Sequence, residues 1–215
     1  MSGEKGGHDM DEGRERLLAG SKKYIEQVLG RLVFRISANS FFQTNPMQAQ
    51  LLYNEVQKAA KLTSDDTVLD LFCGTGTIGL SLAASSKHVV GIDIVASAIE
   101  DANENAMANN IANVTFEQGN LDKVDAVLKG AGIPDANVVV VDPPRAGLHP
   151  GLLKFLAQCQ AKRIVYVSCN PVSQVRDLEL LEEKAEGRFR VSSIQPVDMF
   201  PNTPHVESVA TLERV

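Results

Sequence analysis

Short apolar runs alternate with longer stretches whose apolar positions recur at helical spacing through most of the chain from Thr67 onward. The runs predict strands at 67–72, 88–93, 113–117, 137–141 and 163–168, and the intervening stretches predict helices at 77–85, 96–109, 121–129, 150–159 and 172–184. Two further apolar stretches, 189–197 and 205–213, close the chain as an antiparallel pair of strands. Unbroken runs such as VVVV and IVYV are what parallel strands covered on both faces require. Strand–helix alternation of this kind predicts an α/β fold with a doubly wound, mostly parallel, seven-stranded sheet and an antiparallel C-terminal strand. Ahead of it, LVFRI reads as a short strand, SANSFFQTN as a polar loop, and Pro46 as the first turn of a helix capped by Asn45. Leu51, Leu52, Val56, Ala59 and Ala60 give that helix one buried face.

Composition narrows the class. The 215 residues suit one domain, and 44% hydrophobic with 22% charged residues is ordinary for a folded globular chain. No apolar run reaches the ~20 residues needed to span a bilayer. The opening MSGEKGGHDMDEGRE resembles neither a signal nor a transit peptide. Residues 1–20 are expected to be a disordered polar leader, or the remnant of a shortened chain, ahead of one catalytic domain at 21–215. A net charge of -6 argues against a broad nucleic-acid-binding surface, though not against local basic patches. Three cysteines without a C-x-x-C pair argue against a disulfide framework and against a metal centre. A reducing compartment, cytoplasm or organellar matrix, is the expectation.

The candidate chemistry clusters at strand ends. TVLDLFCGTGTIG places Gly74, Gly76 and Gly79 directly after a strand and at the opening of a helix, the spacing of a nucleotide-cradling turn. Asp93 closes the next strand about 20 residues on, where a carboxylate accepts from a ribose diol. A nucleoside-containing cofactor follows, with NAD, FAD and S-adenosylmethionine all open on this spacing. Asp142-Pro143-Pro144-Arg145 and Ser168-Cys169-Asn170-Pro171 end two consecutive strands and should open on the same crevice. Two prolines fix the loop that holds Asp142. Cys169 precedes a helix start that would lower its thiol pKa and favour a nucleophile, against the alternative of a structural cysteine. Cys73 and Cys159 fit the structural alternative better. His205 and Glu207 should share one face of the last strand, where Glu207 is either a general base or a solvated strand start.

Taken together, FRISANSFFQTNP, VLDLFCGTGTIGL, GIDIVASAIEDANENA, VVVDPPRAGL, IVYVSCNP and VDMFPNTPHVE resemble the S-adenosylmethionine-dependent RNA (uracil-5-)-methyltransferases, which make 5-methyluridine in tRNA or rRNA. The resemblance runs from about Tyr24 to Val215 and implies a Rossmann-like class I methyltransferase catalytic domain. By position it implies Cys169 as nucleophile and Glu207 as general base. It implies cofactor contacts from Gln43, Phe72, Gly74, Asp93 and Asp142, with Thr77 as a variable polar contact and Phe41 near the flipped nucleotide. The implied chemistry is thiolate addition at uracil C6, methylation at C5 and removal of the C5 proton, with Arg145 or Asn170 as donors to O4. The target base must leave its stack.

Relatives usually carry an N-terminal RNA-binding module, and many have a basic residue where this chain has Ala146. The resemblance therefore implies that RNA capture needs a further region absent from this chain. No membrane or metal partner is expected. Two alternatives stay open on the residues alone: a methyltransferase for a small molecule or protein, with Cys169 structural, and a non-catalytic RNA- or cofactor-binding domain.

Overall fold

The computed structural model describes residues 22–38, 40–130 and 135–215. The polar leader expected at 1–20 lies outside the described residues. The chain opens with a hairpin, β1 (Tyr24–Leu29) and β2 (Leu32–Ser37), joined through Gly30 at φ 59° and paired from Tyr24↔Ser37 to Leu29↔Leu32. Then follow α1 (Pro46–Ala60), β3 (Thr67–Leu71), α2 (Thr77–Ala83), β4 (His88–Asp93), α3 (Ala96–Ala108) and β5 (Val114–Gln118). A 3-10 turn (Leu121–Lys123) leads into α4 (Val124–Gly130), and β6 (Val138–Val141), α5 (Pro150–Gln158), β7 (Arg163–Ser168), α6 (Pro171–Ala185), β8 (Phe189–Val197) and β9 (Glu207–Arg214) complete the chain. Asn45 caps α1 as expected, its side chain accepting from Gln48 N, worth about 1 kcal/mol.

The seven-stranded sheet has the order β5-β4-β3-β6-β7-β9-β8. β5, β4, β3, β6 and β7 are parallel to one another, and β9 is antiparallel to both β7 and β8. Helices on both faces explain the unbroken apolar runs. Val138, Val140, Val165 and Val167 point to a core shared with α1, α2 and α3, while Val139, Val141, Ile164 and Tyr166 point to one shared with α5 and α6. Every residue of β6, and of β7 after Arg163, is thus buried whichever way it faces. The short β3 departs from this rule at one place, where the fully buried Asp70 interrupts the apolar run.

The sheet edge at the C-terminal ends of the parallel strands is where the expected site residues converge. Phe72 through Gly76 follow β3, Asp93 ends β4, Asp142 follows β6, and Cys169 follows β7. β9 runs the other way, so its first residue, Glu207, lies at that same edge.

Candidate active site

The glycine turn is built by backbone geometry that side chains would disturb. Gly76 has φ 79°, and a Cβ there would lie 2.8 Å from the Phe116 ring. Gly74, at φ 52°, would meet nothing within 4 Å, so that side is open. Asp93 fastens the turn: Oδ2 accepts from Gly74 N at 2.9 Å and Oδ1 from Val95 N at 2.9 Å. Each oxygen keeps a lone pair for a further donor such as a ribose hydroxyl. Phe72 has φ 64°, a conformation that costs an aromatic residue of order 1 kcal/mol and that marks functional turns.

A small cleft of about 50 Å³ lies against this turn, lined by Phe41, Gln43, Phe72, Gly74, Thr77 and Asp142 among others. Five of the six residues expected to touch the cofactor therefore line one cavity, and the sixth, Asp93, is bonded to its wall. Thr77 opens α2, and its Oγ1 accepts from the buried Tyr53 hydroxyl at 3.2 Å. Burial pushes the Tyr53 phenol up, so it stays a neutral donor. Asp142 is likewise pushed up, to about 8, by burial and then by the charges of Glu207 and Asp70. Thr75 Oγ1 and Asp70 Oδ1 are buried in the same region without a partner.

Cys169 and Glu207 meet through strand register. The last pair between β7 and β9 is Ser168↔Ser208, and one step further the same register leads to Cys169 on one strand and Glu207 on the other. Glu207 is 5% exposed, and burial raises its pKa from 4.5 while Arg145 opposes the rise. The Cys169 thiol is half-buried. The expectation of a lowered thiol pKa at the helix start is corrected here. Burial first, then the charges of Glu207 and Asp142, push it above 9.0, with Arg145 acting the other way. Burial, with two carboxylates adding to it, outweighs the helix terminus.

Asn170 is held at both its amide oxygen and its amide nitrogen. Its Oδ1 caps Val172 N at 3.2 Å, and its Nδ2 donates to Arg145 O at 2.9 Å. Of the two donors considered for a developing oxyanion, Arg145 has its guanidinium beside the Cys169 thiol and within 3.5 Å of His205 Nδ1. The loop carrying Arg145 is pinned from behind by Asp177, which is 1% exposed. Its Oδ2 accepts from Leu148 N at 2.6 Å and the Tyr166 hydroxyl at 2.8 Å, and its Oδ1 from Arg176 Nε at 3.0 Å. His205 does not share a strand face with Glu207, because β9 starts only at Glu207. The segment before it is held by Asn45 Nδ2 donating to Met199 O at 3.0 Å.

Cys73 is buried, Cys159 caps α5, and all three cysteines are free thiols. No group of three or more metal-ligating side chains occurs among the described residues. No helix there is long and apolar enough to cross a membrane.

Comparison with known proteins gives the family. The profile of the tRNA (uracil-5-)-methyltransferase family matches residues 13–215. A Listeria innocua protein named "Uncharacterized RNA methyltransferase" is 48% identical over 203 residues, covering 94% of this chain and 43% of that relative. A Halalkalibacterium halodurans protein of the same description is 47% identical over 192 residues, covering 89% of this chain and 41% of the relative. Among solved structures, the Pyrococcus abyssi tRNA (uracil-54, C5)-methyltransferase in complex with S-adenosyl-L-homocysteine superposes with a TM-score of 0.76 at 39% identity. That match covers 90% of this chain and 45% of the other. The chain thus spans less than half the length of the relatives it matches.

Proposed function

This chain belongs to the tRNA (uracil-5-)-methyltransferase family, and from that premise we propose that it transfers a methyl group from S-adenosyl-L-methionine to C5 of a uridine in tRNA or rRNA. The observation that carries the reading is the meeting of Cys169 and Glu207 across the β7–β9 register, at the sheet edge that also holds the glycine turn and Asp142. The chemistry of the groups around the cleft suits the cofactor. Asp93 offers spare acceptor capacity at ribose distance from the turn, Gly74 leaves the turn open, and Phe72 and Phe41 give it apolar walls. Bound there, S-adenosyl-L-methionine supplies an electrophilic methyl group.

The chain's own residues supply the rest. Cys169 gives up its proton to solvent, and the thiolate, which Arg145 favours, adds to C6 of the flipped uracil and moves the ring's electron pair toward C5 and O4. Arg145, with its guanidinium beside Cys169, stabilises the charge that gathers on O4. Once C5 carries the methyl group, Glu207 removes the C5 proton, the C5–C6 double bond re-forms and the Cys169 sulfur leaves. A buried carboxyl with a raised pKa suits that step, because a desolvated base holds its proton more tightly than an exposed one. Since the relatives are more than twice as long, a further RNA-binding region is expected to select the site.

The test is incubation of the protein with S-adenosyl-L-methionine and RNA transcripts containing uridine or 5-fluorouridine. The expected results are 5-methyluridine by mass spectrometry and a denaturation-resistant adduct with the fluorinated RNA. Cys169→Ala should abolish both. Methyl transfer that survives in Cys169→Ala would overturn the reading.

A further inference from the structure

α3 carries a polar stripe whose spacing matches a strand. Asp101, Asn105 and Asn109 follow one another every four residues, an axial step of about 6 Å. Val33, Arg35 and Ser37 on the free edge of β2 follow every two residues, a step of about 6.6 Å. The two rises are close enough for helix side chains to stand in for a neighbouring strand. Asn109 Oδ1 accepts from Val33 N at 2.8 Å, and its Nδ2 donates to Val33 O at 2.8 Å. Asn105 Oδ1 accepts from Arg35 N at 2.7 Å, and its Nδ2 donates to Arg35 O at 3.3 Å. Asp101 Oδ2 accepts from Ser37 N at 3.4 Å, from Ser37 Oγ at 2.7 Å and from Ser40 Oγ.

Asn105 does more than its neighbours in the stripe. It is fully buried, and its Nδ2 also donates to Thr75 O at 3.2 Å, inside the glycine turn. The helix itself begins just after Asp93, which holds the same turn through Gly74 N. At the other end of the stripe, Asp101 grips Ser40, the residue before Phe41, Phe42 and Gln43, all of which line the cleft. One helix face therefore ties the floor of the cleft to the residues across from it.

We propose that Asn105 is a positioning residue that couples occupancy of the glycine turn to the placement of Phe41 and Gln43, the side chains across the cleft from it. A ligand that steadies the turn steadies Thr75 O. Through Asn105 it then steadies β2 and the residues that leave it. The coupling is between two parts of one cleft and does not depend on which base is methylated.

The test is amide hydrogen exchange of residues 40–45 with and without saturating S-adenosyl-L-homocysteine. The ligand is expected to slow exchange in this stretch in the parent protein. Asn105→Ala removes the link to the turn and leaves room for water at the vacated bonds. It should lose most of the ligand-dependent slowing and raise the KM for S-adenosyl-L-methionine about tenfold, the effect of one lost hydrogen bond. Asn109→Ala also removes two bonds to β2, but touches nothing in the turn. It should speed exchange in the hairpin while keeping the ligand-dependent slowing at 40–45. The proposal is overturned if the ligand binds without slowing 40–45 in the parent protein. It is equally overturned if Asn105→Ala and Asn109→Ala respond alike to the ligand.

Discussion

Replacing Asp70 by Asn should stabilise the protein at alkaline pH far more than at acid pH. Asp70 is fully buried in β3, with Oδ2 accepting from Gly79 N at 2.8 Å and Oδ1 without a partner. Burial raises its pKa from 3.8 to about 7, with Gly79 opposing and the Asp93 charge adding to the rise. The folded chain therefore holds this proton more tightly than the unfolded chain does. The resulting stability is fully present below about pH 4 and is lost as pH rises through 7. A shift of about three pKa units corresponds to at most about 4 kcal/mol, and roughly 3 kcal/mol of it falls between pH 5 and pH 8. Asn keeps an oxygen for Gly79 N and carries no titrating proton. The difference in Tm between Asp70→Asn and parent should consequently grow by about 5–10 °C from pH 5 to pH 8 for a domain of this size. Thermal denaturation followed by circular dichroism across that range measures it. Equal Tm differences at pH 5 and pH 8 would show that Asp70 does not carry a buried proton.

Glu207→Gln removes a charge that raises the Cys169 thiol, so iodoacetamide should alkylate Cys169 about 3–10-fold faster at pH 7. Arg145→Ala should slow the same reaction, and peptide mass spectrometry separates Cys169 from the other two thiols. A slower Glu207→Gln or a faster Arg145→Ala would contradict the charge arrangement. With 5-fluorouridine-free RNA and S-adenosyl-L-methionine, Glu207→Gln should still form the adduct but release it slowly, visible as a protein–RNA band on denaturing gels. Asp177→Asn leaves one of the donors around it without an acceptor and should lower stability by about 2–3 kcal/mol in chemical denaturation, while loosening the loop of Arg145.

The alternation of strands and helices was legible because parallel strands buried on both faces leave unbroken valine and isoleucine runs. Strand-end residues were legible for a related reason: in such a sheet the crevice lies beyond those ends. β1 was not legible. Tyr24–Leu29 alternates neither cleanly nor with a strong turn signal, and it is held as a strand by its partner β2, which α3 anchors from the other side. Asp70 was passed over as a polar interruption in an apolar run, although an acid there is costly enough to ask what holds it. The Asp101, Asn105 and Asn109 stripe was visible as spacing. Polar helix stripes usually face water, and nothing in the sequence said that a strand edge lay against this one. The Cys169 pKa was misjudged because a helix start is a local feature, whereas Glu207 and Asp142 approach it from other strands.

Glu207 shows most clearly how topology can supply what chain order hides. In a wholly parallel sheet, every residue at the ligand edge comes after its strand, and a strand's first residue lies at the far side. β9 is inserted antiparallel between β7 and β8, which turns that rule over for one strand. Its first residue then stands beside the last residue of its neighbour, so a thiol and a carboxylate separated by 38 positions in sequence come from adjacent strands about 4.8 Å apart. On the proposed mechanism the two groups act on neighbouring ring carbons, the sulfur at C6 and the carboxylate at the C5 proton. Adjacent strands provide that separation without any loop having to span it. A sheet with β9 parallel would carry the acid to the opposite edge, and the same residues would have no shared site.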